Sequence, residues 1–118
     1  MLKIRKEQMQ TLNELMFCKF ENFMVSHLRR FYTETCLDLG EEGIREEVRY
    51  GIEHAKTYNI VDERNVCKYI DVMFAFGRDF DNDPDLPWAG EILRDDAIGS
   101  PVERMDILCR TAIDKMQG

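Results

Sequence analysis

The sequence predicts an all-α protein, a single compact helical bundle of about five helices that begins with a long N-terminal helix. Apolar residues recur at intervals of three and four along most of the chain, and strict alternation never persists. The length of 118 residues suits one hydrophobic core. Hydrophobic residues make up 44% and charged residues 33%, which favours a packed fold over disorder. We therefore expect one domain covering residues 1–118.

The first predicted helix runs from about Arg5 to Leu37 and ends at Gly40, where a left-handed cap residue is expected. Its apolar residues cover an arc of about 160°, wider than the roughly 100° stripe of an ordinary surface helix. The residues on this arc are Met9, Leu12, Met16, Phe20, Phe23, Met24, His27, Leu28 and Phe31. Such a face must pack against two neighbours, or against one neighbour and another chain. A homodimer through the first helix is one expectation that follows.

Two further helices are predicted in the middle of the chain. The second runs from Glu41 to about Asn59, and its inward residues are Ile44, Val48, Ile52 and Ala55. His54 falls on its polar side, where we expect it to be exposed. The third runs from Glu63 to about Phe80, with Asp62 as its N-cap. It is apolar most of the way round, which is typical of the helix at the centre of a bundle.

The last third of the chain begins with a predicted loop. Residues 81–87 contain Pro84 and Pro87 among aspartates, which favour turns. A short helix follows from about Trp88 to Arg94. The final helix starts at Ser100, where Pro101 at N1 and Glu103 at N3 complete a capping box, and it continues to the C-terminus. Its predicted apolar stripe is Val102, Met105, Leu108, Cys109, Ala112, Ile113 and Met116.

Charge and composition exclude several classes of function. Sixteen basic against 23 acidic residues give a net charge of −7 without a basic patch, so we expect no nucleic-acid partner. The N-terminus lacks the apolar core of a signal peptide, and no apolar run has the length of a membrane helix, so we expect a cytoplasmic protein without a membrane partner. Four widely spaced cysteines, at positions 18, 36, 67 and 109, are interpreted as small buried residues rather than disulfides.

The residues that could carry chemistry do not form a known catalytic set. Residues 79–85 begin like the D-x-D-x-D loop of an EF-hand, but Pro84 stands where glycine is needed and Gly90 where the bidentate glutamate belongs. No nucleophile elbow, phosphate loop or zinc motif occurs. We therefore expect a non-enzymatic protein without a cofactor. A small metal-dependent hydrolase centred on residues 79–85 stays as an alternative.

Two features point instead to a partner protein. Residues 79–96 hold seven acidic residues and one basic residue, a local charge of −6. The only tryptophan, Trp88, lies among them and is expected either to fill the core or to anchor a partner. The methionines of the first helix are typical of adaptable apolar binding surfaces and equally of ordinary packing in a helical bundle. The candidate partner-binding residues are Asp79, Asp81, Asp83, Asp85, Trp88, Met9, Met16, Phe20 and Met24.

Several strings of the chain resemble a family of small helical proteins of Gram-negative bacteria. These strings are Phe23, residues 27–31, Cys36, residues 39–40, 43–44, 58–60 and 69–70, the run Met73-Phe74-Ala75-Phe76-Gly77-Arg78-Asp79-Phe80-Asp81, residues 87–89 and residues 92–93. The similarity covers about residues 12–113. The family is encoded beside spike, PAAR-type tip and effector genes of type VI secretion systems. The resemblance implies a chaperone or adaptor for an effector or spike-tip component, or alternatively an immunity protein that neutralises a cognate toxin.

Overall fold

The described part of the chain is helical and contains no β-strand. A computed structural model describes residues 6–117, with side chains from Met16 onward. Its α-helices are α1 (Lys6–Phe31), α2 (Thr33–Thr57), α3 (Glu63–Phe76), α4 (Pro87–Leu93) and α5 (Pro101–Gln117). Two short 3₁₀ turns lie at Phe80–Asn82 and Asp96–Ile98. The prediction of an all-α protein with about five helices is confirmed.

The long N-terminal helix is confirmed in outline, with one interruption that the sequence did not predict. The helix breaks at Tyr32, between α1 and α2. At this break the hydroxyl of Thr33 donates a hydrogen bond to the carbonyl of Arg29 at 2.9 Å, a local bond that competes with the helical backbone pattern. Gly40 has a φ of 72° and divides α2 into two segments, as expected of a left-handed cap.

The chain divides into two compact units, of which the first runs to Arg45 and contains α1 and the first part of α2. In this unit Arg45 donates to Asn22 Oδ1 at 3.0 Å, and Arg29 lies 3.7 Å from Glu41. These contacts mean that the two segments run in opposite directions side by side. The buried residues of α1 include Phe20, Met24, Val25 and Leu28.

The second unit begins at Glu46 and holds the rest of α2 with α3, α4 and α5. In it α3 packs against α5, α5 packs against α4, and α4 packs against the 3₁₀ turn Phe80–Asn82. The predicted inward residues of α2 in this unit, Val48, Ile52 and Ala55, are buried. Whether the chain is one domain, as the sequence predicts, stays a prediction.

Helix ends that depend on local chemistry lie close to their predicted positions. Asn59, just beyond α2, has a φ of 62°, and Ile60 donates its amide to the carbonyl of Ala55 in a Schellman pattern. Asp62 caps α3 by accepting from the amide of Asn65 at 3.1 Å. Ser100 caps α5 in the same way, with the amide of Glu103 at 3.3 Å.

The prediction for the end of α3 was wrong by four residues. α3 ends at Phe76, because Gly77 takes a φ of 119° and its amide donates to the carbonyl of Met73. Residues 77–86 therefore leave the helix and form the turn that carries Asp81. This change of direction decides where the acidic residues lie.

The predicted apolar stripe of α5 is also wrong in part. Met105, Leu108 and Ala112 are buried, together with Arg104. Val102, Ile113 and Met116 are exposed instead. The arc predicted as one packed face is thus divided between a buried half and a solvent-facing half.

The four cysteines are free thiols. Cys36 is buried and Cys67 and Cys109 are half-buried, but Cys18 is exposed, so the interpretation as buried residues was wrong for Cys18. Burial raises the pKa of Cys67 to about 11. No helix within residues 6–117 is long and apolar enough to cross a lipid bilayer.

Candidate functional site

The centre of the acidic segment is Asp81, which lies in the 3₁₀ turn Phe80–Asn82 and is only 3% exposed. The turn is held close to α4 because Gly90 has no side chain. A Cβ atom at this position would lie 2.6 Å from the carbonyl oxygen of Asp81. The glycine therefore permits a close approach that fixes the position of the Asp81 backbone.

Two side chains of α2 and one from the residue just beyond its C-terminal end face this turn. Tyr50, His54 and Tyr58 follow one another at intervals of four, which places them on one stripe of the helix. Tyr58 donates its hydroxyl to Asp81 Oδ2 at 2.5 Å, and Tyr50 donates its hydroxyl to Asp79 Oδ1. The two tyrosines thus each hold one carboxylate of the acidic segment.

Both hydroxyl groups are more difficult to ionise than free tyrosine. Burial, followed by the hydrogen bond to Asp81, raises the pKa of Tyr58 to about 12. The hydrogen bond to Asp79 is the main cause that raises the pKa of Tyr50 to about 12. Burial also raises the pKa of Tyr69, whose ring packs 5.1 Å from that of Phe80. All three tyrosines are therefore neutral at neutral pH, and Tyr50 and Tyr58 donate their hydroxyls to carboxylates.

His54 lies between the two tyrosines and is half-buried, so the expectation that it is exposed was wrong. Its Nδ1 atom is 3.9 Å from Asp81 Oδ2, and its ring stacks on Tyr50 with 4.1 Å between centroids. Within residues 46–117, no lysine or arginine nitrogen comes as close to the carboxylate of Asp81 as 4 Å. Its Oδ2 atom thus contacts one hydroxyl and one imidazole group, whereas the buried Oδ1 atom has no hydrogen-bond partner among the described residues.

Two arginines contact the outer side of the cluster formed by Tyr50, His54, Tyr58 and Asp81. Arg94 donates to Asn82 Oδ1 at 2.6 Å and to the hydroxyl of Tyr58 at 3.1 Å. Arg78 lies over the ring of Tyr50 at 4.0 Å and pairs with Glu47 at 3.1 Å. These contacts connect α2, the 3₁₀ turn and α4 through polar side chains.

A buried arginine of α5 adds a further connection. Arg104 donates to the carbonyl of Leu93 at 2.8 Å and to the carbonyl of Tyr58 at 3.5 Å. Both carbonyls lie at helix ends, where backbone acceptors lack helical partners and a cation is favourable. The cluster around Asp81 therefore fastens secondary structure elements of this unit together.

The remaining predicted residues of the acidic segment differ in their surroundings. Asp83 accepts a hydrogen bond from the amide of Asp85 at 2.9 Å, and Asp85 itself is exposed. Trp88 is half-buried, with its ring 5.3 Å from that of Phe76 in an edge-to-face arrangement. Asp81 differs from the expectation of a partner-binding residue, because its carboxylate is buried and offers no surface to a partner.

The acidic side chains of residues 79–85 do not bring potential metal ligands together at one point. Within residues 46–117, no three His, Cys, Asp or Glu side chains bring potential ligand atoms within 4.8 Å of one another. The chemistry that the cluster supports is hydrogen bonding between tyrosine hydroxyls and carboxylates. The sequence analysis did not identify Tyr50, His54 and Tyr58 as one group, although their spacing of four residues indicates a shared helix face.

The second candidate surface is one side of α1. Met16, Phe23 and Phe31 are 60%, 57% and 62% exposed. The ring of His27 lies between those of Phe23 and Phe31, with centroids 5.9 and 4.9 Å away. Arg30 lies over the ring of Phe31 at 5.5 Å. We call Met16, Phe23, His27 and Phe31 the α1 stripe.

The α1 stripe contains only part of the surface that the sequence predicted. Met16 is on it, but Phe20 and Met24 are buried and cannot contact a partner without rearrangement. The side chain of Met9 lies outside the described residues. The wide apolar arc of α1 is thus divided into a buried side and an exposed side, as a helix with two apolar contacts would be.

Comparison with known proteins gives no relative for this chain. No protein-family model, no curated protein and no solved structure matches it.

Proposed function

We propose that the protein is a non-enzymatic accessory protein that binds a partner polypeptide through the α1 stripe. The observation that carries this proposal is the exposure of two phenylalanines and a methionine on one side of one helix. Large apolar side chains placed together on a surface are typical of protein interaction sites. Aromatic residues are also enriched among those that contribute most to binding energy.

The partner that we propose is a secreted effector or a spike-tip component of a type VI secretion system, which the protein would accompany as chaperone or adaptor. The sequence resemblance supports this choice of partner. The physical mode would be that of a helix in a groove, in which the α1 stripe covers an apolar segment of the client. Arg29 and Arg30 at the end of α1 would favour an acidic residue next to that segment.

A second candidate function is that of an immunity protein, which is favoured by the acids that stay exposed. Asp79, Asp85, Glu91, Asp95 and Asp96 all face solvent. An acidic surface suits a basic active-site cleft and increases the rate of association with it. Such binding would weaken with added salt more strongly than binding through an apolar stripe.

The test is to co-express the chain with the products of its neighbouring genes and to measure the affinity for whichever product co-purifies. We expect Phe23→Glu to weaken binding by about tenfold or more, because it places a charge in the apolar contact. Val61→Glu is the matched control, since Val61 is also an exposed apolar residue, at 70% against 57% for Phe23, but lies between α2 and α3. Equal affinity of the two variants would contradict the proposal.

The same partner separates the two candidate functions. A chaperone or adaptor should increase the solubility or export of the partner. An immunity protein should protect cells from the toxicity of the partner without being needed for its export. Asp85→Lys should weaken binding in the immunity case and leave it unchanged in the adaptor case.

A further inference from the structure

The exposed half of α5 is a second apolar surface. Val102, Ile113 and Met116 are exposed, and Cys109 between them is half-buried. At 100° per residue, these four side chains fall within a sector of roughly 60°. We call them the α5 stripe. The core side of the same helix is formed by Met105, Leu108 and Ala112.

Three of the four residues of the α5 stripe are evenly spaced along the helix, and Ile113 lies one turn beyond the central Cys109. Val102 lies seven residues before Cys109 and Met116 lies seven residues after it. If two copies of α5 pack antiparallel with Cys109 on the two-fold axis, Val102 of each copy meets Met116 of the other. A two-fold interface requires this kind of self-complementary pattern.

The charges beside the stripe are complementary in the same arrangement. Asp106 and Arg110 lie four residues apart on the same flank of the α5 stripe. In an antiparallel pair related by a two-fold axis, equal flanks face each other, so Asp106 of each copy approaches Arg110 of the other. Arg110 is exposed and makes no ion pair with another residue of the described chain, whereas Asp106 also contacts Lys68 at 3.1 Å.

We propose that α5 is a self-association surface, on which a second copy of this chain packs antiparallel about a two-fold axis at Cys109. The 17 residues of α5 extend about 25 Å. A contact between two single helices is at the small end of specific interfaces, so we expect a weak dimer that depends on protein concentration. This proposal is independent of the function proposed for the α1 stripe.

Sedimentation equilibrium over the micromolar range tests the proposal. The wild-type chain should dimerise, and Ile113→Glu should weaken the dimer by about tenfold or more. Phe23→Glu is the matched control, since it changes an equally exposed apolar residue on α1 and should leave the dimer intact. A wild-type chain that stays monomeric overturns the proposal, and so does a dimer that Phe23→Glu abolishes and Ile113→Glu does not.

A charge exchange tests the antiparallel arrangement. Arg110→Asp should weaken the dimer because it brings two acids together, and Asp106→Arg combined with Arg110→Asp should restore it. A double variant that stays as weak as the single one contradicts the antiparallel geometry. Circular dichroism of every variant should show the helix content of the wild type, which separates loss of the dimer from loss of folding.

Discussion

Asp81 has an acidic side chain that is buried, whereas Phe23 has an apolar side chain that is exposed. The carboxylate of Asp81 is buried and accepts a hydrogen bond from the hydroxyl of Tyr58, whereas the ring of Phe23 is exposed to solvent. Burial of a charged group is costly and persists only where other groups hold it, which makes Asp81 part of the scaffold. An exposed aromatic ring contributes little to folding, which makes Phe23 available for binding. The buried centre of the acidic segment is therefore part of the scaffold, whereas the α1 stripe is accessible to a partner, although both were expected to bind one.

The largest expected effect comes from comparing the two sides of α1. Leu28→Ala removes a fully buried side chain and should lower the free energy of unfolding by about 2–5 kcal/mol. Phe23→Ala removes an exposed ring and should change it by less than about 0.5 kcal/mol. Urea denaturation followed by circular dichroism measures both values. Similar losses would mean that the exposed side of α1 is also needed for folding.

The next largest effect concerns the scaffold around Asp81. Tyr58→Phe removes the hydroxyl that donates to a buried carboxylate, so we expect a loss of about 1.5–3 kcal/mol. Tyr50→Phe removes the corresponding hydroxyl from the exposed Asp79, and the loss should be smaller. The same denaturation experiment ranks the two variants. A larger loss for Tyr50→Phe would contradict the structural role of Asp81.

A pH titration should reveal the same contacts. The pKa of Tyr58 and Tyr50 is about 12 in the folded chain, against an ordinary value of 10. Between these values the folded chain retains protons that the unfolded chain releases, so stability should fall as the pH rises from 10 to 12. The urea midpoint measured across this range should fall less steeply in Tyr58→Phe than in the wild type. An equal slope in both would show that Tyr58 is not the responsible group.

The smallest effect is expected at the exposed end of the acidic segment. The side chain of Asp85 faces solvent, and Asp85→Asn should change the free energy of unfolding by less than about 0.5 kcal/mol. Urea denaturation should therefore rank it far below Tyr58→Phe. A loss comparable with that of Tyr58→Phe would mean that the acidic segment acts as one structural unit.

Helix existence and several helix ends could be predicted from the sequence because their signals are local. Asp62 and Ser100 cap helices through amides three residues away, and Gly40 ends a helix through its own backbone. The early end of α3 was not predicted because a glycine at position 77 is compatible both with the inward face of a longer helix and with a helix end. Only its φ of 119° decides between them.

The candidate site was less predictable because it depends on contacts between distant residues. Tyr58 and Asp81 are separated by 23 positions, and no local pattern says that one reaches the other. Asp81 was predicted on a surface because aspartates beside prolines usually form exposed turns. The division of α1 into a buried and an exposed side likewise depends on which neighbours pack against it, whereas the periodicity gives only the whole arc.

The most direct test of the proposed function is the affinity of Phe23→Glu and of Val61→Glu for the co-purified partner, measured by isothermal titration calorimetry. We expect Phe23→Glu to lose about tenfold or more in affinity, Val61→Glu to bind as the wild type does, and both to unfold at the wild-type urea midpoint. Wild-type affinity of Phe23→Glu for that partner would contradict the assignment of the α1 stripe as the binding surface.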